Sequence, residues 1–356
     1  MSFLACRPTE GHALVSRNKI LSSEQLGLVV KAARMYHEQK LSQAEIAERL
    51  HVSQSRVSRW LSDAIRQGIV RTIVIAPPGT ESDLEEAVAA KFDLQTVVIA
   101  DPGTDDEASV IRALGTAAAG YLEVTLTGAN RVGLSSWSST LLATVDAMAP
   151  RNTQSAEIVV QVIGGVGNPT AQVRATHLAD RLASVTKTTP RFLPAPGIVS
   201  SQEGRDALLA DPFVAEVAAE WDRLDTLLVG IGSIEPSPLL RDSGNSLGEA
   251  DLSNLARAGA VGDVCLRFFD ERGVLIQSDL NDRVLGISPE QILSIDRRIG
   301  VAGGSRKYTA IKAAVEGNWV NVLITDKKTA LKLESEKAPT RRFTEEHHEQ
   351  RTVFLP

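Results

Sequence analysis

The chain has 356 residues, 43% of them hydrophobic, and a formal net charge of −6, material for two or three domains with a sizeable buried core. No apolar run reaches the roughly 18 residues of a membrane span and the N-terminus lacks the apolar core of a signal peptide, so a cytoplasmic protein is expected. Two cysteines, Cys6 and Cys265, are too few and too far apart for a disulfide framework or a zinc site, and neither a metal nor a cofactor is expected.

Charge is unevenly spread. Residues 1–75 hold eleven Lys and Arg against six Asp and Glu, a balance of +5 that leaves −11 on the remainder. A basic head suits a polyanion, whereas an acidic body suits small molecules or other subunits.

Residues 1–22 show no periodicity and are expected to form a loose tail. Leu26, Val29, Val30, Ala33, Met35 and Tyr36 then suggest a helix. The stretch from Leu41 to Leu61, LSQAEIAERLHVSQSRVSRWL, predicts two short helices joined by a tight turn. Ser42 and Glu45 have the spacing of a capping box, opening a first helix whose apolar face is Ile46, Ala47 and Leu50. His51 and Val52 fill the turn; His51 stands where glycine is common, and His is among the residues that enter positive φ. Ser53 is expected to cap the second helix, in which Val57, Trp60, Leu61, Ala64 and Ile65 recur at the spacing of one buried stripe.

The opposite face carries Gln54, Ser55, Arg56, Ser58, Arg59 and Arg66. Such a division predicts a helix-turn-helix, because the stripe docks on its scaffold while the first turns bring Arg and Gln to base edges of double-stranded DNA. The expected DNA-contacting set is Ser42, Gln43, Ser53, Gln54, Ser55, Arg56, Ser58 and Arg59. The plain alternative is an amphipathic helical hairpin with a solvated basic face.

After Gly68 a β-rich run, Ile69 to Ile75, ends in Pro77, Pro78 and Gly79. The domain boundary is placed there, giving a helix-turn-helix domain with its linker over 23–79 and a larger body over 80–336. From Glu81 onward apolar runs alternate with helical patterns, the mark of a parallel sheet covered by helices. Candidate strands are Thr96 to Ala100, Arg131 to Leu134, Ile158 to Ile163, Thr226 to Ile231, Arg298 to Ala302 and Val320 to Thr325, mostly continuous apolar runs as buried parallel strands require. Pro169 to Ser184 and Asp206 to Trp221 read as helices. Gly262 to Asp270 and Arg283 to Ile287 read as an extra β excursion with its turn at Gly273. Residues 337–356 form a second tail. The fold class is α/β: an N-terminal helix-turn-helix domain plus a large parallel-sheet α/β effector domain.

Ligands of open α/β sheets collect at the carboxyl ends of strands, and three loops there have suitable chemistry. Gly133 to Thr140, GLSSWSST, offers Ser135, Trp137, Ser138, Ser139 and Thr140 with the free N–H groups of a helix start, a cradle for phosphate or polyol or simply a serine-rich cap. Gly230 and Gly232 end an apolar strand and let backbone approach a ligand. Gly303, Gly304 and Lys307 follow another strand, where the lysine is either a phosphate partner or merely solvated. Asp263 offers a carboxylate to sugar hydroxyls or an amine.

With LSQAEIAERLHVSQSRVSRWL come LPAPGIV at Leu193 to Val199, VGIGS at Val229 to Ser233, GAVGDVCLRFFDERG at Gly259 to Gly273, NDRVLGIS at Asn281 to Ser288, VAGGSRKYTAI at Val301 to Ile311 and VNVLITDKKTA at Val320 to Ala330. This series, from about Leu26 to about Leu333, resembles the SorC family of bacterial sugar-responsive transcriptional regulators. The resemblance implies an effector domain related in fold to glucosamine-6-phosphate deaminase, ribose-5-phosphate isomerase and the CoA transferases. It also implies a homo-oligomer, dimeric or commonly tetrameric, whose operator affinity changes when a sugar, sugar phosphate or polyol binds. Carried over by position, the effector site includes Ser135, Ser138, Ser139, Thr140, Asp263 and Lys307. Family members often have glycine where this chain has Ser136, Trp137 and Ser138.

The rival reading is a sugar-phosphate isomerase or deaminase with a DNA-binding head. Such an enzyme needs a carboxylate or histidine placed for proton transfer; Asp263 qualifies, but no second acid/base partner stands out and none of the six histidines falls in a candidate loop. A protein scaffold, the third reading, leaves the glycine-rich strand ends without a role.

Overall fold

A computed structural model describes residues 23–70, 81–166, 169–235 and 247–337. The chain divides into two compact units, Met1–Pro78 and Gly79–Pro356. The first expected tail, all of the second beyond Lys337, the boundary at Pro77 to Gly79 and most of the run Ile69 to Ile75 lie outside the described residues, as does Cys6.

The first unit holds three helices among the described residues, α1 (Ser23–His37), α2 (Gln43–Arg49) and α3 (Gln54–Arg66). Val29, Ala32 and Ala33 of α1, Ile46 and Ala47 of α2, and Val57, Leu61 and Ala64 of α3 form its closed core. The capping box opens α2: the Ser42 backbone N–H donates to Glu45 Oε2 at 2.8 Å, and the Ser42 hydroxyl accepts from the Glu45 N–H at 3.3 Å. His51 takes φ +53°, so the turn is made without glycine. Two sequence assignments need correction. Ser53 occupies the N-cap position of α3, yet its hydroxyl pairs with that of Ser55 and caps nothing. Ile65 lies one residue, about 100° of helix rotation, beyond Ala64 and is 57% exposed, so the buried stripe ends before it.

The second unit is built on seven parallel strands in the order β1 (Thr96–Ala100), β10 (Val322–Asp326), β9 (Arg297–Val301), β5 (Thr226–Gly230), β2 (Arg131–Leu134), β3 (Ile158–Gln161) and β4 (Thr189–Arg191). One face packs Val132, Leu134, Leu228, Val301 and Ile324 under α5 (Glu107–Thr125), α6 (Ser139–Ala147) and α7 (Pro169–Thr186). The other packs Val97, Val160, Leu227, Val229 and Leu323 with residues of α4 (Ser82–Phe92) and with Val214, Ile311 and Ala330. Burial on both faces accounts for the continuous apolar runs that mark these strands in the sequence.

The remaining helices and strands differ from the sequence reading where backbone chemistry intervenes. Asp206 to Trp221 is not one helix: α8 (Gln202–Leu209) stops, Asp211 caps the Phe213 and Val214 N–H groups, and Pro212 starts α9 (Pro212–Ala218). Pro at the first position cannot continue a helix but begins one well. Trp221 belongs to a short 3₁₀ turn and donates its indole N–H to Gln161 O at 3.0 Å. Strand β3 ends at Gln161, with Ile163 making only an isolated bridge to Gly286.

A second, antiparallel sheet of β6 (Gly232–Ser233), β7 (Ala260–Val264) and β8 (Arg267–Asp270) carries the predicted excursion. Its reversal is at Cys265 and Leu266, both at positive φ (+54° and +59°), rather than at Gly273. Two consecutive left-handed residues make the tight hairpin whose twist fits antiparallel strands. Gly273 (φ +75°) turns the chain again after β8. Arg283 to Ile287 is no strand: Val284 and Gly286 make single bridges, and the buried Arg267 guanidinium donates to the carbonyls of Asn281, Gly286 and Ile287. Helices α10 (Glu249–Arg257), α11 (Leu280–Arg283), α12 (Pro289–Ser294), α13 (Tyr308–Glu316) and α14 (Lys327–Ser335) complete the described part. Among the described residues no helix is long and apolar enough to cross a membrane.

Candidate functional site

At the carboxyl ends of β2, β5 and β9 lies a cavity of about 300 Å³. Strand β2 delivers the loop Ser135–Ser138, which is fixed from below: Ser136 Oγ donates to Ile163 O at 2.9 Å and the Trp137 indole N–H to Gly164 O at 3.2 Å. Ser138 is the N-cap of α6, accepting from the Leu141 N–H at 3.2 Å. Its own hydroxyl is therefore partly committed. Ser139 and Thr140 open the first turn of α6 beside it, and their positive helix end faces the cavity they line.

Strand β5 ends at Gly230, where an added Cβ would lie 2.7 Å from Ser138 Oγ, and continues to Gly232, where it would lie 1.9 Å from Asp263 Oδ1. Both positions therefore need glycine to keep these polar groups in place. Gly232 pairs with Asp263 across β6 and β7, which sets the carboxylate over the end of β5. Asp263 Oδ2 accepts the Leu266 N–H at 2.9 Å. Burial pushes the Asp263 carboxyl up to about 6, against the pull of that N–H and of Lys307. The neighbouring Cys265 thiol is pushed up to about 12 by burial and by the Asp263 charge, so it lines the cavity as a neutral group.

Strand β9 leads into Gly303 and Gly304. Asp326, buried at the end of β10, accepts the Gly304 N–H at 2.7 Å and the Thr329 hydroxyl at 2.6 Å through Oδ2, while Oδ1 accepts the Thr329 N–H at 3.0 Å. An added Cβ at Gly303 would meet that carboxylate at 2.5 Å. Beyond this loop the Lys307 ammonium donates to Ile231 O at 3.0 Å. Burial lowers its pKa, and the Asp263 charge works in the opposite direction.

One cavity thus gathers Ser135, Trp137, Ser138, Ser139, Thr140, Gly230, Gly232, Asp263, Gly303, Gly304 and Lys307 from four separate stretches of chain. Gly133 is the exception. It lies inside β2, where an added Cβ would meet Leu224 Cδ1 at 2.7 Å and Val162 Cγ1 at 2.8 Å, so its smallness serves sheet packing. Sequence reasoning missed the apolar wall of Val110, Ile111 and Leu114 on α5, and the charged rim. In that rim Arg306 pairs with Glu107 at 2.9 Å and lies 4.0 Å from Glu235, while Asp105 pairs with Lys328 at 2.5 Å. Nothing local in the sequence of α5 says which of its turns faces the strand ends. Among the described residues no cluster of His, Cys, Asp and Glu could hold a metal ion.

In the first unit α3 exposes Gln54, Ser55, Arg56, Ser58 and Arg59. Arg66 is engaged by Asp63. Ser42 spends its hydroxyl on the capping box, and Gln43 is half-buried at the start of α2.

Residues 77–333 match the family model described as "Putative sugar-binding domain", and residues 29–67 match that of sigma-70 region 4, a helix-turn-helix. The chain is 30% identical over 310 residues to the deoxyribonucleoside regulator of Bacillus subtilis (strain 168), covering 87% of this chain and 98% of that protein. Among solved structures, the full-length sorbitol operon regulator SorC from Klebsiella pneumoniae superposes with a TM-score of 0.65 at 28% identity, covering 88% of this chain and all of that one. The sugar-binding domain of a DeoR regulator from Pseudomonas syringae pv. tomato gives 0.57 at 35% identity over 72% of this chain and 99% of its own. A sugar-binding α/β body matched over its length, joined to a helix-turn-helix head, settles the relationship: the chain belongs to the SorC family of sugar-binding transcriptional regulators.

Proposed function

We propose that this regulator senses a sugar, sugar phosphate or polyol in the cavity at the strand ends and changes its affinity for operator DNA accordingly. The observation that carries the reading is the convergence of hydroxyls, a helix start, a carboxylate and an ammonium in one cavity of a sugar-binding body. Relatives regulate deoxyribonucleoside and sorbitol operons, so the ligand class spans deoxy sugars and polyols. The head presents α3 to the major groove, and a symmetric homo-oligomer would read pseudo-palindromic half-sites. Coupling between ligand and DNA is bounded by the difference in ligand affinity between the two placements of the heads.

The acyclic or ring hydroxyls face Asp263, and an anionic group, where the ligand has one, sits at the start of α6 within reach of Lys307. Sensing without turnover is preferred to catalysis. The titratable groups that line the cavity are Asp263, Cys265 and Lys307 with Asp105, Glu107, Glu235 and Arg306, and no described histidine is among them. A thermal-shift screen over sugars, polyols and their phosphates tests this reading, since a ligand at 100 times its Kd adds about 2.7 kcal/mol of stability. A bound compound must then change operator affinity in a gel-shift titration and emerge chemically unaltered; a compound that binds without moving operator affinity sinks the coupling.

Lys307→Ala is expected to weaken a phosphorylated ligand by about tenfold or more and a neutral polyol much less, because charge-assisted bonds to phosphate are the stronger ones. Calorimetric titration of both ligand types measures this. Equal losses for the two would confine Lys307 to holding the Ile231 carbonyl.

A further inference from the structure

Of the three exposed arginines of α3, Arg56 and Arg59 are free of ion pairs among the described residues and stand in different places, and the difference assigns them different work. Resting on the reading of α3 as the DNA-facing helix, we infer that Arg59 reads a guanine in each half-site while Arg56 holds a backbone phosphate. Val57, Leu61 and Ala64 are buried and Trp60 is half-buried against the same core; together they fix the direction in which α3 docks. At about 100° per residue, Ser55, Arg59 and Ser62 fall within about 30° of the opposite direction, whereas Arg56 lies about 90° round the helix. A side chain opposite the docked stripe meets the groove floor, and one on the flank meets the groove wall, which is phosphate.

The neighbours of Arg59 leave room for this. Ser55 and Ser62, one turn away on either side, are small and exposed, and the Ser62 hydroxyl is turned back onto Ser58 O at 3.1 Å. Arg59 Nε lies 3.4 Å from Ser55 O, which lays the side chain toward the helix N-terminus. Its two terminal nitrogens carry no ion pair among the described residues, as is also true of Arg56. Arg66 shares the outward direction but is held by Asp63 a full two turns further along. A guanidinium presented end-on matches the O6 and N7 acceptors of guanine, and Ser55, one turn before it on the same face of α3, is placed to read beside it.

The test is selection from a randomised duplex library with the full-length protein, alongside salt titrations of affinity for the selected site. The wild type is expected to enrich one guanine per half-site. Arg59→Ala should lose that guanine alone, with a roughly 10- to 100-fold drop on the selected site, and Arg59→Gln should shift the same position toward adenine. Arg56→Ala should weaken all sequences equally and lower the salt slope by about 1, and Arg56→Lys should restore both. A guanine that persists in Arg59→Ala, or a sequence preference altered by Arg56→Ala, overturns the assignment. If the wild type enriches no sequence at all, the reading of α3 as the operator-reading helix falls with it.

Discussion

Replacing Asp263 by asparagine is expected to raise the unfolding temperature at pH 8, leave it unchanged near pH 4, and weaken ligand binding. The carboxyl is pushed up to about 6 chiefly by burial, well above the ordinary aspartate value of about 3.9. The folded state therefore binds its proton more tightly than the unfolded chain does. Stability drawn from the protonated group is fully present below about pH 4, declines as pH rises through about 6, and is gone above it. Two pKa units correspond to roughly 3 kcal/mol at full burial. The side chain is only half-buried by exposure, and Lys307 loses a neighbour in the variant, so a gain of about 1–2 kcal/mol at pH 8 is the expected size. Asparagine can still accept the Leu266 N–H but cannot offer a charged acceptor to a hydroxyl. Ligand affinity should fall by roughly tenfold, the loss expected when one charge-assisted bond becomes a neutral one. Melting curves across pH 4–8 with and without ligand measure both effects. A variant less stable than wild type at pH 8, or one that binds ligand unchanged, would contradict the placement of this carboxylate as a group kept for binding at a cost in stability.

What was legible in the sequence was what adjacent residues decide. The capping box at Ser42 and Glu45, the Val57 to Ala64 stripe and the apolar runs of β5 and β10 are local patterns, and each corresponds to an element. The glycine and serine loops at strand ends were legible for the same reason, and eleven of the twelve residues chosen from them line one cavity. Gly133 failed because a glycine needed for packing against Leu224 and Val162 looks the same in sequence as one needed for a ligand. The hairpin at Cys265 and Leu266 failed because neither residue type announces positive φ. The rim pair of Arg306 and Glu107 joins residues 199 apart in the chain, and the apolar wall from α5 depends on how that helix lies over β1 and β10. Both are consequences of strand order, which no local pattern contains. Asp326 was overlooked for a related reason: it follows the apolar run Val320 to Thr325, and only the neighbouring β9 loop gives it a partner outside its own helix start.

Asp326→Ala is expected to be the most damaging single substitution near the cavity, for stability and ligand binding together. The carboxylate is 3% exposed and makes three hydrogen bonds, two of them to Thr329 at the start of α14 and one to the Gly304 N–H. Removing it takes the N-cap from α14, a loss of about 1 kcal/mol. It also strands buried donors at about 1–3 kcal/mol each. Partial relaxation of the half-buried Gly304 brings the expected total to about 2–4 kcal/mol. For a domain of this size that lowers Tm by roughly 5–10 °C. Gly304 itself has φ +91°, a conformation that needs glycine and, here, the bond to Asp326 to hold it. Released, the Gly303 to Lys307 segment no longer presents its backbone and the Lys307 ammonium to the cavity, so affinity should fall by more than the tenfold expected for Asp263→Asn even well below the lowered Tm. Asp326→Asn separates the two effects, because its carbonyl oxygen in place of Oδ2 keeps the Gly304 N–H and the Thr329 hydroxyl, while its amide nitrogen in place of Oδ1 cannot accept the Thr329 N–H that is capped at the start of α14. An Asp326→Ala protein that melts as the wild type does would show that the β9 loop and α14 are held by their apolar contacts alone.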